Sequence, residues 1–332
     1  MEGRVVWVRG IWEMVKEMLC QKLLTYHLPS SPLLRRPDQF SGLSVIVTGA
    51  TSGIGLCTAR ELAVGGANVI MACRNTKAAR GIARGWQREA QGRVIKLNVK
   101  VMGLDLLSLS SVRSFAGEWE RLGKPLDLLI NNAGILLMGE PQRFSGDGIE
   151  QHLQVNHVAP ALLTLLLLPS LLRASSPRII NVNSVAHHCS VVDTKNWNLR
   201  VEDSKFSSIR AYGTSKLAQL MFLKILALKL LEKKASVQCI AVHPGIVTTN
   251  LVPEFRKKSF WMFDPAQGAR SVLFCATDDQ ISENLVKGFA YYSSNCKPGK
   301  ISPQAGDMDS CMEVWNKTLE ISRLKTDYLE QV

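Results

Sequence analysis

The stretch Ser44-Val45-Ile46-Val47-Thr48-Gly49-Ala50-Thr51-Ser52-Gly53-Ile54-Gly55 decides the fold of this 332-residue chain. Three consecutive β-branched residues, Val45 to Val47, stop at Thr48-Gly49, and two further glycines open a helical pattern. Strand, tight turn and helix start, in that order, suit a phosphate. The first turn of a helix offers unpaired N–H groups and a partial positive charge. Gly49 permits the sharp turn, Gly53 the approach of backbone to a pyrophosphate, and Gly55 the close seating of helix on strand. Three glycines alone are a weak signal, because many loops hold as many. The rest of the chain must supply the context.

Outward from this turn, strands and helices alternate. Strands are predicted near 44–49, 68–73, 99–105, 127–132, 178–184, 237–243 and 288–292. Helices are predicted near 53–65, 76–90, 109–122, 148–173, 210–233 and 265–277. Such alternation, with helix-length crossovers, predicts an α/β fold: a seven-stranded parallel sheet with helices on both faces. One unbroken series implies a single doubly wound domain over 40–295. Pro29 to Pro37, with three prolines in nine residues, reads as part of a linker over 29–39. Residues 296–332 form a C-terminal extension whose 309–323 stretch, with Val314, Trp315 and Leu319, predicts a last helix on the body.

Residues 1–28 read as an amphipathic helix. Trp7, Val8, Ile11, Trp12, Met14, Val15, Met18 and Leu19 share a broad face, opposite Arg9, Glu13, Lys16 and Glu17. Its charges argue against a membrane span, and it lacks the cleavage pattern of a signal peptide. Two tryptophans on an apolar face favour peripheral membrane contact through 5–24. The alternative is a helix docked on an apolar patch of the same chain.

Composition narrows the function classes. Apolar residues make up 46% and charged residues 20%, as in a globular protein with a sizeable core. The net charge of +12 suits an anionic partner, whether phosphate-rich cofactor, membrane surface or nucleic acid. Nucleic acid is disfavoured, since the basic residues are spread out with no recognition motif or interleaved aromatics. The eight cysteines are scattered, none with metal-ligand spacing, which predicts no metal and a reducing intracellular compartment.

Further motifs then fall in order. Leu128-Leu129-Ile130 runs into Asn131-Asn132-Ala133-Gly134, followed by Asn156, Ser184, Tyr212-Gly213-Thr214-Ser215-Lys216 and His243-Pro244-Gly245. With the glycine turn, this series resembles the short-chain dehydrogenase/reductase family over residues 40–295, and so implies a Rossmann-type domain. Ala72-Cys73-Arg74-Asn75 and Val185-Ala186-His187-His188 are similar to the retinol dehydrogenase and WW-domain oxidoreductase branch. Arg74 to Ala79, Gln154 to His157 and Arg178 to Ser184 are similar to its plant Forever Young subfamily.

The chemistry agrees. Hydride transfer to a carbonyl needs a proton donor at the developing alkoxide, and a free phenol, with a pKa near 10, is a poor one. Lys216, four residues after Tyr212, shares its helix face and is expected to lower the phenol's pKa. The resemblance implies a catalytic set of Asn156, Ser184, Tyr212 and Lys216. Tyr212 is then the acid/base, Ser184 the carbonyl-oxygen partner, and Asn156 the holder of a relay water. Tyr212 and Lys216 also count among the cofactor contacts. The rest are Thr48, Gly49, Thr51, Ser52, Gly53, Ile54 and Gly55 at the glycine turn, Arg74 after the second strand, Asp105 at the adenine, Asn132, Ala133 and Gly134 beside the sheet, and Pro244, Gly245 and Thr249 around the nicotinamide amide and phosphate.

Charge selects the cofactor. A carboxylate ending the second strand would hold ribose hydroxyls and repel a 2′-phosphate. Here the strand ends at Cys73 and Arg74 follows, with eight basic residues and one acid between 74 and 100. NADP(H) is therefore expected over NAD(H). An alternative, a non-catalytic NADP(H) sensor or scaffold on the same fold, would be signalled by loss of Tyr212 or Lys216, and both are present.

Two departures stand out. Residue 183 is Asn where many members carry a second Ser, with little effect expected. Tyr212 follows Ser184 by 28 residues, against about a dozen in many relatives, and the extra residues read as a surface loop. The substrate signal is the segment 246–263, apolar and aromatic, at the place of the family's variable lid. It fits a lipophilic alcohol or carbonyl. The long helices 148–173 and 210–233 resemble the pair through which relatives form homodimers.

Overall fold

The computed structural model describes residues 2–28, 40–91, 97–249, 251 and 260–331. The expected linker 29–39, the basic residues Arg93 and Lys96, and residues 250 and 252–259 of the expected lid lie outside these. Seven strands form one all-parallel sheet: β1 (Ser44–Thr48), β2 (Asn68–Cys73), β3 (Asn98–Gly103), β4 (Leu128–Asn131), β5 (Arg178–Val182), β6 (Gln238–Val242) and β7 (Phe289–Tyr292). Their order across the sheet is β3-β2-β1-β4-β5-β6-β7. The strands β1, β4 and β5 are buried along their whole length, as continuous apolar runs require.

The helices are α1 (Glu2–Thr25), α2 (Gly53–Val64), α3 (Thr76–Gln91), α4 (Leu109–Glu120), α5 (Gln151–Leu153), α6 (Ala159–Leu166), α7 (Leu168–Leu172), α8 (Ser208–Glu232), α9 (Pro265–Thr277), α10 (Pro303–Gly306) and α11 (Met308–Ile321). Two apolar cores form on opposite faces of the sheet. One takes α4, α6, α8 and α11, and the other α2, α3 and α9. The single doubly wound domain is thus present. After β1 the chain moves outward to β2 and β3, then returns to place β4 on the other side. A crevice therefore opens beyond the carboxyl ends of β1 and β4, where ligands of such sheets bind.

The helix expected over 148–173 is broken. Between α5 and α6 the chain makes a π turn, Gln154–Val158, and a second break falls at Leu167. Proline is the physical reason. Pro160 has no N–H for the Asn156 carbonyl, and Pro169 none for that of Leu165. Side chains supply the missing donors: Gln219 Nε2 reaches Asn156 O at 3.0 Å, and the Tyr328 hydroxyl reaches Leu165 O at 3.4 Å.

Neither terminal segment stands apart from the domain. Trp315 on α11 stacks on Phe222 of α8 at 4.9 Å, and His157 Nε2 meets Thr318 Oγ1 at 2.8 Å. The helix face expected to form a dimer is therefore covered there by the chain's own α11. At the other end α1 packs on the turn Val185–Cys189. Its inner face is Gly10, Glu17, Gln21 and Thr25, whereas Val5, Val8, Trp12, Val15, Leu19 and Leu23 face outward, Trp12 at 65% exposure. The helix thus docks by a face that joins these small and polar residues to the half-buried Trp7, Ile11, Met14 and Met18, while Val8, Trp12, Val15 and Leu19 of the broad apolar face stay outside. Among the described residues, no helix is long and apolar enough to cross a membrane.

Candidate active site

The crevice holds a cavity of about 490 Å³ that runs from the β1–α2 turn to Tyr212. At one end Thr48, Gly49, Thr51, Ser52, Gly53 and Ile54 line it. Gly49 and Gly53 have φ of 67° and 56°, the left-handed region that glycine enters without steric cost. A Cβ on Gly53 would come within 3.2 Å of Thr249, so the turn and the segment after β6 close on each other. Gly55 is not in the lining. A Cβ there would meet Asn132 Nδ2 at 2.3 Å, so this glycine seats α2 on the sheet.

The floor is pinned by Thr48, whose hydroxyl accepts from the backbone N–H of Asn132 and of Ala133, each at 3.0 Å. Asn132 Nδ2 donates to Thr48 O at 2.9 Å, which locks β1 to β4 at the mouth. Asn131 instead points into the sheet, where Nδ2 donates to Thr164 Oγ1 and Asn181 Oδ1. Arg74 and Asp105 line the outer end. Arg74 is exposed, and among the described residues no hydrogen bond or ion pair engages its guanidinium. Asp105 Oδ1 accepts from Leu107 N at 3.0 Å.

The opposite end is lined by Ser184, Tyr212, Lys216, Pro244 and Gly245. Tyr212 lies in the first turns of α8 and bonds the Ser184 side chain. Lys216 is buried one turn on, donates to Val182 O at 2.8 Å, and lies 5.8 Å from the Tyr212 ring centroid. Burial pushes the phenol up, the Ser184 bond opposing it, and pushes the Lys216 ammonium down to about 7. The expected lowering of Tyr212 by Lys216 is not seen: burial dominates the phenol, and what opposes it is the Ser184 bond.

Asn156 lies behind the cavity rather than in its lining. Its Oδ1 accepts from Ile135 N at 2.8 Å, and its Nδ2 donates to Ile135 O and Ser215 Oγ. Gly134 leaves space there, since a Cβ would come within 3.1 Å of Asn156 Oδ1 and 3.5 Å of Lys216 Nζ.

Two supporting residues were not anticipated. Asn183 Nδ2 donates to Lys216 O at 2.7 Å and to Gln219 Oε1 at 3.1 Å, fixing α8 against β5. The departure from Ser thus adds a tie that a shorter hydroxyl could not make. His243 Nδ1 accepts from Val185 N at 3.2 Å, next to Ser184. No periodicity marks either; only their places at strand ends do. The long insertion stays off the cavity. Beyond the buried His187 it crosses to the Gln142–Glu150 segment, where Glu150 N donates to Asn198 Oδ1 at 2.8 Å, and to Gln304, which pairs with Val192.

Comparison with known proteins decides the family. The short chain dehydrogenase model matches residues 44–197. The chain is 44% identical to the Arabidopsis thaliana dehydrogenase/reductase SDR family member FEY, over 99% of this chain and 91% of that protein. It belongs to the short-chain dehydrogenase/reductase family. The dehydrogenase/reductase is also 36% identical to human retinol dehydrogenase 11, over 90% of this chain and 91% of that protein. A solved protein from Mycobacterium paratuberculosis superposes with a TM-score of 0.69 at 33% identity, covering 86% of this chain and 95% of that one. Membership makes this an oxidoreductase of alcohols and carbonyls that acts on a small molecule and uses a nicotinamide dinucleotide.

Proposed function

We propose that this dehydrogenase/reductase uses NADP(H) in preference to NAD(H) and interconverts a lipophilic alcohol and its carbonyl, with Tyr212 as general acid/base. The observation that carries the reading is one cavity with the Tyr212–Ser184–Lys216 group at one end and an unengaged Arg74, with no carboxylate ending β2, at the other. The residues fit a dinucleotide phosphate. Gly49 and Gly53 bring bare backbone to the cavity wall, and the N-terminus of α2 faces the same space. Thr51, Ser52 and Thr249 would hold the pyrophosphate, Arg74 the 2′-phosphate, and Pro244 and Gly245 the nicotinamide end. When bound, the dinucleotide supplies or accepts a hydride.

The chain's own groups do the rest. Ser184 holds the carbonyl oxygen beside the Tyr212 hydroxyl. Burial keeps that phenol protonated at neutral pH, the form that donates in carbonyl reduction. Lys216, when it carries its proton, favours the phenolate left behind, and Asn156 holds the Ile135 backbone and the Ser215 hydroxyl that frame the lysine. Leu136, Leu137, Val155, Val247 and Leu251 give the cavity an apolar wall, which a hydrocarbon chain would cover. A screen of NADPH consumption across aldehydes and ketones of graded chain length tests the reading. Turnover should rise with chain length; no turnover on any carbonyl would overturn it.

The outward stripe of α1 would lie on a membrane surface. Its six apolar residues are a helical repeat left without a partner, beside Lys16 and Lys22. Wild-type protein is expected to float with anionic liposomes, and the Trp12→Glu/Leu19→Glu protein to stay in solution. Equal flotation of the two would refute the contact.

A further inference from the structure

The inner face of α1 carries a fully buried amide whose hydrogen bonds all leave the helix. Gln21, at 0% exposure, accepts from Ile246 N through Oε1 at 2.8 Å and donates from Nε2 to Ile246 O at 3.1 Å. One side chain thus pairs with Ile246 as a neighbouring strand would. The same Nε2 donates to Trp261 O at 2.7 Å, across the two legs of backbone that follow β6. Those legs also pair with each other, Phe263 N donating to Ile246 O at 3.0 Å and Thr248 N to Phe263 O at 2.9 Å. Gly245 has φ of 90°, and a Cβ there would strike the Phe263 ring at 2.7 Å and Gln21 Oε1 at 2.8 Å. Gln21 therefore rests against the backbone of Pro244–Val247, of which Pro244, Gly245 and Val247 line the cavity.

The same helix face also touches the Ser184 side of the site. One turn back, Glu17 accepts from Ser294 Oγ at 2.5 Å and stands 3.4 Å from Nε2 of His243, whose other nitrogen takes Val185 N. Gly10 abuts Cys189, where a Cβ would come within 2.4 Å of the Cys189 Cα. These contacts seat α1 on the turn after Ser184, so that Gln21 is delivered to the wall as part of a fixed element.

We propose that Gln21 is a positioning residue of the active site, holding the Pro244–Val247 wall at the nicotinamide end of the cavity. The proposal rests on the reading of this cavity as the NADP(H) site. A buried carbonyl or N–H stripped of its partner bears the full desolvation penalty, so the wall would move to recover bonds. A wall that moves loses the nicotinamide end of the ligand and leaves the Arg74 end, at the far side of the cavity, as it was.

Binding of two ligands to the full chain separates these ends. Gln21→Met keeps the length and removes all three bonds. It should weaken NADPH about 10-fold, while 2′,5′-ADP, which reaches only the Arg74 end, stays within about twofold of wild type. Amide exchange at Ile246 should accelerate in step. NADPH affinity within about twofold of wild type, or an equal loss for both ligands, would overturn the assignment, the second outcome marking a merely structural role. Gln21→Asn keeps the amide but is one methylene short of Ile246 and Trp261. It should show the same selective loss, and it decides the matter if Gln21→Met does not fold. Turnover enters none of these readouts. An inactive wild type would thus count against the proposed reaction, and a wild type that binds neither ligand against the NADP(H) site.

Discussion

The Tyr212→Phe protein is expected to lose turnover by about 10³-fold while binding NADPH within about twofold of wild type. The ring and its burial in α8 are kept, so only the hydroxyl, with its proton and its bond to Ser184, is removed. No other described group can replace it. Ser184 is a weak acid whose hydroxyl also accepts from Ala186 N at 3.2 Å, and Lys216 faces the Val182 carbonyl at 2.8 Å. Steady-state rates on the best carbonyl from the screen, with calorimetry of NADPH binding, check both halves of the statement. A variant with near-normal rates would remove Tyr212 from the mechanism. One that also lost NADPH would show that the phenol serves binding instead.

Reversing the charge at Arg74 should have the second large effect. Wild-type protein is expected to bind NADPH about 10- to 100-fold more tightly than NADH, and Arg74→Glu to bring the two together. The loss should fall almost wholly on NADPH. A charge-assisted contact contributes about 1.5–3 kcal/mol, and each 1.4 kcal/mol is a factor of ten. Arg74 is well placed for such selectivity because it is exposed and engages no carboxylate among the described residues, so nothing else competes for its fork of donors. Arg60, by contrast, is held by Glu89 at 2.5 Å and cannot substitute. Equal affinities in the wild type would contradict the assignment outright. Persistence of the preference in Arg74→Glu would move the 2′-phosphate to another basic residue.

Much of this site could be read before any coordinates. The glycine turn, the Asn-Asn-Ala-Gly run and Tyr212 with Lys216 each occupy a local pattern, and each lies where the alternating series of strands and helices predicts. The cavity lining brings together Thr48, Gly53, Arg74, Asn132, Ser184, Tyr212, Lys216 and Pro244. It places Gly55 and Asn156 behind the surface instead, where they keep α2 and the Ile135 segment in position. The sequence could not show this, because a residue that shapes a site and one that touches ligand can carry the same motif letter.

By itself, then, the sequence determined the doubly wound α/β domain, the order of its elements, the family and the positive charge that follows β2. Those properties follow from the period of apolar residues and from short motifs, both of which are local. The tertiary structure decided the rest. Only the packed chain shows that burial drives Tyr212 and Lys216 in opposite directions, since desolvation depends on everything around a group. Only packing shows that α11 covers α8, or that Asn183 ties β5 to Lys216. Helix α1 is the clearest case. Its apolar period points to one face, yet only part of that face is covered, and the rest of the seat is Gly10, Glu17 and Gln21, whose partners Cys189, Ser294 and Ile246 lie more than 170 residues away. A local pattern carries no information about hydrogen bonds that distant.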